Sequence, residues 1–127
     1  LATQDKKQKI IALRGIDKIT KAETRYPASV KVSIYQFILN QAPTSAEKRL
    51  ALSGLSELIV PRSLKVISEY FESDVQDEAI TAAVSMLPEM WWSDRQLARD
   101  AIQTLLKITD HPERTKVLKS ILIRRDQ

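Results

Sequence analysis

The chain holds only two glycines, Gly15 and Gly54, and both sit inside apolar-periodic segments rather than between them. Setting IIALRGIDKI (10–19) over RLALSGLSEL (49–58) at an offset of 39 pairs Ala12 with Ala51, Leu13 with Leu52 and Gly15 with Gly54. Ile16 then meets Leu55, and Ile19 meets Leu58. A glycine inside a helix costs about 1 kcal/mol against alanine, so two in register point to a shared packing need. The expected need, at both positions, is close approach of a partner helix that a side chain would block. A further shift of 29 brings AITAAVSML (79–87) into the same frame, with Ala83 at the glycine position. A small residue recurring every 30–40 residues limits the fold to stacked units.

The segments around these anchors read as helices. Segment 4–20 sets Ile10, Ile11, Leu13, Ile16 and Ile19 against a lysine-rich face. Segment 28–40 carries one stripe of Val30, Ile34, Phe37 and Ile38 and a second of Val32, Tyr35 and Leu39, which predicts burial on much of its circumference. Pro43 stops that run, and Thr44 with Glu47 makes a capping-box pattern for segment 45–59. Pro61 suits the first turn of segment 61–72, where its missing N–H would have been unpaired anyway. Ser73 or Asp74 is placed to cap segment 74–87, whose Val75, Ala79, Ala82, Ala83, Met86 and Leu87 form the cleanest stripe. Ser93 or Asp94 opens segment 94–109, and Pro112 starts a last helix bearing Val117, Leu118, Ile121 and Leu122.

The expected fold is all-α: an α-solenoid of helical hairpins with seven helices, three pairs plus a terminal helix. The units run about 4–41, 44–72 and 74–109, followed by a terminal helix over 112–125. Residues 1–127 form a single repeat domain, and the opening at Leu1 is read as the start of a fragment of a larger protein.

Composition removes several classes of function. There is no cysteine, which excludes disulfides and thiolate chemistry, and the one histidine, His111, has no second ligand nearby in sequence. No apolar run approaches the ~18–20 residues of a membrane span. The net charge of +4 is unevenly spread: residues 1–43 carry +5, 44–72 balance, 73–110 carry −4 and 111–127 carry +3. Such alternation reads as a polar, solvated molecule rather than a uniformly basic nucleic-acid binder.

On these residues the chain resembles HEAT repeats. More narrowly, EKRLALSGLSEL, SLKVISEYFESDVQDEAITAAVSML and ARDAIQTLLKITDHPERTKVLKSIL resemble a bacterial HEAT-like module. That module is often appended to secreted or periplasmic proteins, some with a sugar-active domain of the 3-keto-disaccharide hydrolase type. The resemblance covers about residues 5–125. It implies a periplasmic or extracellular setting. In one respect the chain departs from the family: Asp74 is followed by Val75-Gln76, so the arginine of the family's Asp–Arg ladder between repeats is missing. The stack is expected to rest on apolar packing instead.

Little in the chain supports catalysis. Asp74, Asp77 and Glu78 fall in a first helical turn, where acidic side chains face the positive helix end. No catalytic, cofactor-binding or metal-ligating residue is assigned. Two candidate contact features remain. Met90-Trp91-Trp92, expected between the fifth and sixth helices, offers aromatic anchors, of which one tryptophan should be partly exposed. The second helix of each pair should line a concave face, bringing Lys31, Gln36, Arg62, Lys65, Glu69, Arg95 and Arg99 into one groove suited to an acidic peptide or a phosphate backbone. The candidate interaction surface is thus Lys31, Arg62, Lys65, Trp91, Trp92, Arg95 and Arg99.

The reading that follows is a non-catalytic scaffold or protein-interaction module. It would bind a protein partner or a neighbouring domain of the same polypeptide, with no small-molecule cofactor and no membrane span. A nucleic-acid function is the alternative, because Trp92, Asp94, Arg95 and Arg99 resemble the set used by a DNA-glycosylase family built on HEAT-like helices. The net negative charge of residues 73–110 speaks against it.

Overall fold

The computed structural model describes the backbone of residues 2–126 and the side chains of residues 5–122. Among the described residues there are seven helices and no strand: α1 (Ala2–Ala22), α2 (Ala28–Gln41), α3 (Ser45–Ser56), α4 (Pro61–Ser68), α5 (Gln76–Ser93), α6 (Arg95–Ile108) and α7 (Pro112–Asp126). The odd-numbered helices neighbour one another in chain order, α1 on α3, α3 on α5 and α5 on α7. Each even helix packs against the odd helices on either side of it, and α2 also touches α4.

One continuous core runs through this arrangement. Tyr35, Ile38, Leu52, Leu55, Leu64, Ile67, Met86, Leu87, Trp91, Ile102 and Leu105 are all fully buried within it. The second stripe predicted for α2 is buried, but the first divides, Ile38 turning inward with it. Val32, Tyr35, Ile38 and Leu39 are buried, whereas Val30 and Phe37 are exposed.

Helix ends follow side-chain chemistry. Asp94 caps α6, its Oδ1 accepting from the Leu97 N–H at 3.1 Å. Thr44 occupies the cap of α3, but its hydroxyl donates to Glu47 Oε1 at 2.7 Å instead of completing a reciprocal box with the backbone. At the cap of α5 stands Val75, not Ser73 or Asp74. Ser63 is fully buried, and its Oγ donates to the Leu55 carbonyl at 2.5 Å, so α4 satisfies an acceptor at the end of α3.

The ends of α4 and α5 differ most from the sequence reading, and α3 also stops short, at Ser56. α4 stops at Ser68, and the next three N–H groups bond three residues back, tightening into turns. Serine hydroxyls take up carbonyls there: Ser68 donates to Lys65 O and Ser73 to Tyr70 O. Phe71 and Val75 stay buried through these turns. α5 does the opposite and runs on through Pro88 to Ser93. A proline inside a helix costs about 3 kcal/mol. The extra turn buries Met90 and Trp91 completely, and two such side chains contribute about 3–6 kcal/mol together. Burial wins.

The two glycines behave differently. A Cβ on Gly54 would lie 2.5 Å from Cε1 and 2.7 Å from Oη of Tyr35, so α2 and α3 do approach closely there. A Cβ on Gly15 would meet nothing within 4 Å. The shared packing need therefore fails for Gly15, because no described helix lies against that side of α1. Ala83, in the same frame, is fully buried.

The odd helices are also joined at their surfaces. Arg14 of α1 reaches Glu47 of α3 at 3.5 Å, Arg49 of α3 pairs with Glu78 of α5 at 2.8 Å, and Arg114 of α7 pairs with Asp77 of α5 at 3.3 Å. Asp74 accepts from Ser45 Oγ at 2.6 Å and from Lys48 Nζ at 3.0 Å. Glu47 is buried beneath the exposed Arg14, whereas the Arg49–Glu78 and Arg114–Asp77 pairs are at least partly exposed and are each worth about 0–1 kcal/mol. The apolar core contributes most of the packing between the helices.

Candidate interaction surface

The proposed contact residues do not gather into one basic groove. Arg62, near the start of α4, turns toward α2: its guanidinium donates to the Ser29 carbonyl at 3.3 Å and to Gln36 Oε1 at 3.4 Å. It forms the rim of an open groove of about 650 Å³, floored by Val30, Ile34 and Phe37 of α2 with Ile16 of α1. Lys31 is absent from that lining, since a residue two positions beyond Ser29 points about 200° away around the helix. Lys65 is exposed on α4 and lines none of these grooves.

The surface between α4 and α6 is acidic rather than basic. Leu64, Ser68, Phe71, Leu97, Asp100, Ala101 and Thr104 line its groove, and Glu69 and Glu72 continue it. Arg95 and Arg99 face elsewhere. Their guanidinium carbons stand 5.6 and 5.4 Å from the ring centroid of Trp91. Two cations over one indole contribute about 0.5–1 kcal/mol each at partly exposed positions. That contact explains how Arg95 can open α6, where the helix end disfavours positive charge.

Trp91 itself is buried, 1% exposed, and leaves the candidate surface. Both tryptophans lie in the last turns of α5 rather than in a connection, so helical geometry sends neighbouring side chains about 100° apart. Trp91 points into the core, with an indole N–H that meets no acceptor. Trp92 points outward and is 70% exposed. Asp94, a member of the glycosylase-like set, is engaged as the α6 cap.

Sequence reasoning missed the apolar groove. Helical spacing alone assigns Val30, Ile34 and Phe37 to the core. Periodicity reports that residues share a face, not what covers that face. The signal available was the double stripe on α2, which spreads apolar side chains over much of the helix circumference.

Among the described residues no cluster of three or more metal-ligating side chains occurs, and no helix is long and apolar enough to cross a membrane. Compared with family models, curated proteins and solved structures, the chain matches none.

Proposed function

We propose that this chain is a non-catalytic helical-repeat scaffold of the HEAT type, a protein-interaction module within a larger bacterial polypeptide. The supporting observation is the groove along α2. It offers exposed Phe37 and Val30, with Ile34 between them, beside the guanidinium of Arg62. An aromatic side chain next to an arginine on a rigid helix is the kind of surface from which binding energy is drawn. Arg62 is already held by Ser29 and Gln36, so little side-chain freedom is lost on contact. The resemblance to appended bacterial modules makes a neighbouring domain of the same polypeptide the first partner to test, in a periplasmic or extracellular setting.

The experiment is calorimetric titration of the chain with separately produced neighbouring domains. Phe37→Ala and Arg62→Ala should each weaken binding by about 2 kcal/mol, roughly thirtyfold, while circular dichroism stays helical. Unchanged affinity in both variants would exclude this groove. Tight DNA binding with a steep log–log salt dependence would replace the scaffold reading with a nucleic-acid one.

A further inference from the structure

The outer face of α1 carries an apolar stripe that none of the described residues covers. Ile11 is 71% and Ile19 62% exposed, Ala12 is exposed beside them, and Gly15 opens onto free space between them. These residues fall within about 100° of one another around the helix, opposite the buried Leu13 and Asp17. Each has a counterpart at the offset of 39. There Ala51 and Gly54 are buried in α3, Leu50 of α3 and Leu58 just past its end are partly covered, and the Tyr35 ring of α2 lies over Gly54.

We propose that the outer face of α1 receives a helical hairpin of the α1–α2 kind, set ahead of α1 as α1–α2 is set ahead of α3, with an aromatic ring seated over Gly15. The small-residue notch is in place and the flanking aliphatic side chains are in place, and the equivalent notch one unit on, Gly54, is where the Tyr35 ring of α2 packs on α3. A second copy of this chain is a poor occupant. Two α1 faces brought together would oppose Lys7, Arg14 and Lys18 to themselves, and α7 would bring Lys116 and Lys119 against the same basic flank. This inference rests on the repeat-scaffold reading but concerns a different face from the Phe37–Arg62 groove.

The test uses the full chain and a longer one in which residues 5–43 are duplicated in tandem, so that the added Tyr35 can reach Gly15. In the parent chain Gly15→Leu should leave the melting temperature unchanged or raised. In the longer chain the same substitution at the covered Gly15 should lower it by roughly 4 °C or more. Hydrogen exchange of the covered α1 should slow at least tenfold relative to the parent. Equal effects of Gly15→Leu in both chains, or an added hairpin that stays unfolded, would overturn the proposal. So would a parent chain that sediments as a dimer and is made monomeric by Ile19→Lys, since the occupant would then be a second copy. Loss of the Phe37 and Arg62 effects on partner binding would instead count against the scaffold reading and leave the Gly15 comparison standing.

Discussion

The phenol of Tyr35 occupies the space that any side chain at Gly54 would need, and this contact joins α2 to α3. Tyr35 is 2% exposed, so its ring has no free volume into which to withdraw. Gly15, its sequence counterpart, has no such neighbour. Two glycines that align in sequence at an offset of 39 therefore carry opposite consequences for substitution.

Gly54→Ala should destabilise the chain by about 1–3 kcal/mol, because the new methyl group overlaps a buried ring. Gly15→Ala should stabilise it by up to about 1 kcal/mol through helix propensity alone. Urea midpoints of the two variants test this directly. A stabilising Gly54→Ala would show that the ring yields easily.

Alkaline pH should weaken the same contact. Burial, reinforced by the charges of Asp17 and Glu57, pushes the Tyr35 phenol from 10 up to about 12. Below pH 10 both folded and unfolded chains keep the proton, so Tyr35 adds no pH dependence. Between pH 10 and 12 the unfolded chain releases it and the folded chain does not, so stability falls by up to about 1.4 kcal/mol per pH unit. Tyr35→Phe keeps the ring and should remove that share of the loss. Identical stability profiles of the two proteins from pH 9 to 11.5 would contradict it.

Asp74 gives a measurable titration at the joint between α3 and the turn before α5. Hydrogen bonds from Ser45 and then Lys48 hold its carboxyl below the usual carboxylate range. Its contribution is present at neutral pH and is lost as pH falls through that lowered value. In carbon-detected NMR titrations, Ser45→Ala and Lys48→Ala should each raise the Asp74 midpoint, with Ser45→Ala the larger. No movement in either variant would mean that the bonds do not persist in solution.

The adjacent tryptophans should separate cleanly. Trp91→Ala should cost about 3–5 kcal/mol, as truncations of large buried aromatics do, whereas Trp92→Ala should stay within about 0.5 kcal/mol. In Trp92→Phe the remaining indole should emit to the blue and resist acrylamide quenching. In Trp91→Phe the remaining indole, 70% exposed, should be quenched more strongly than Trp91 is in Trp92→Phe. Equal quenching in the two variants would contradict the assignment of inside and outside.

Several helix positions were legible without a structure because local chemistry is enough to set them. Pro61 and Pro112 open α4 and α7, and Asp94 caps α6. Those signals act within one turn of the chain. The end of α5 was not legible. Pro88 reads as a stop on local grounds, and only the burial of Met90 and Trp91 against distant residues reverses it.

The candidate surface shows the same division. Sequence spacing alone put Gly54 on a helix face with the apolar residues that share it. Which neighbour covers each face was decided by tertiary packing, which hides Tyr35 and leaves Phe37 open on the same helix. It also drew Arg95 and Arg99 to Trp91 instead of a common basic groove with Arg62. A side chain's direction around its own helix follows from 100° per residue. What it meets there depends on residues far along the chain, and a one-dimensional pattern holds no record of them.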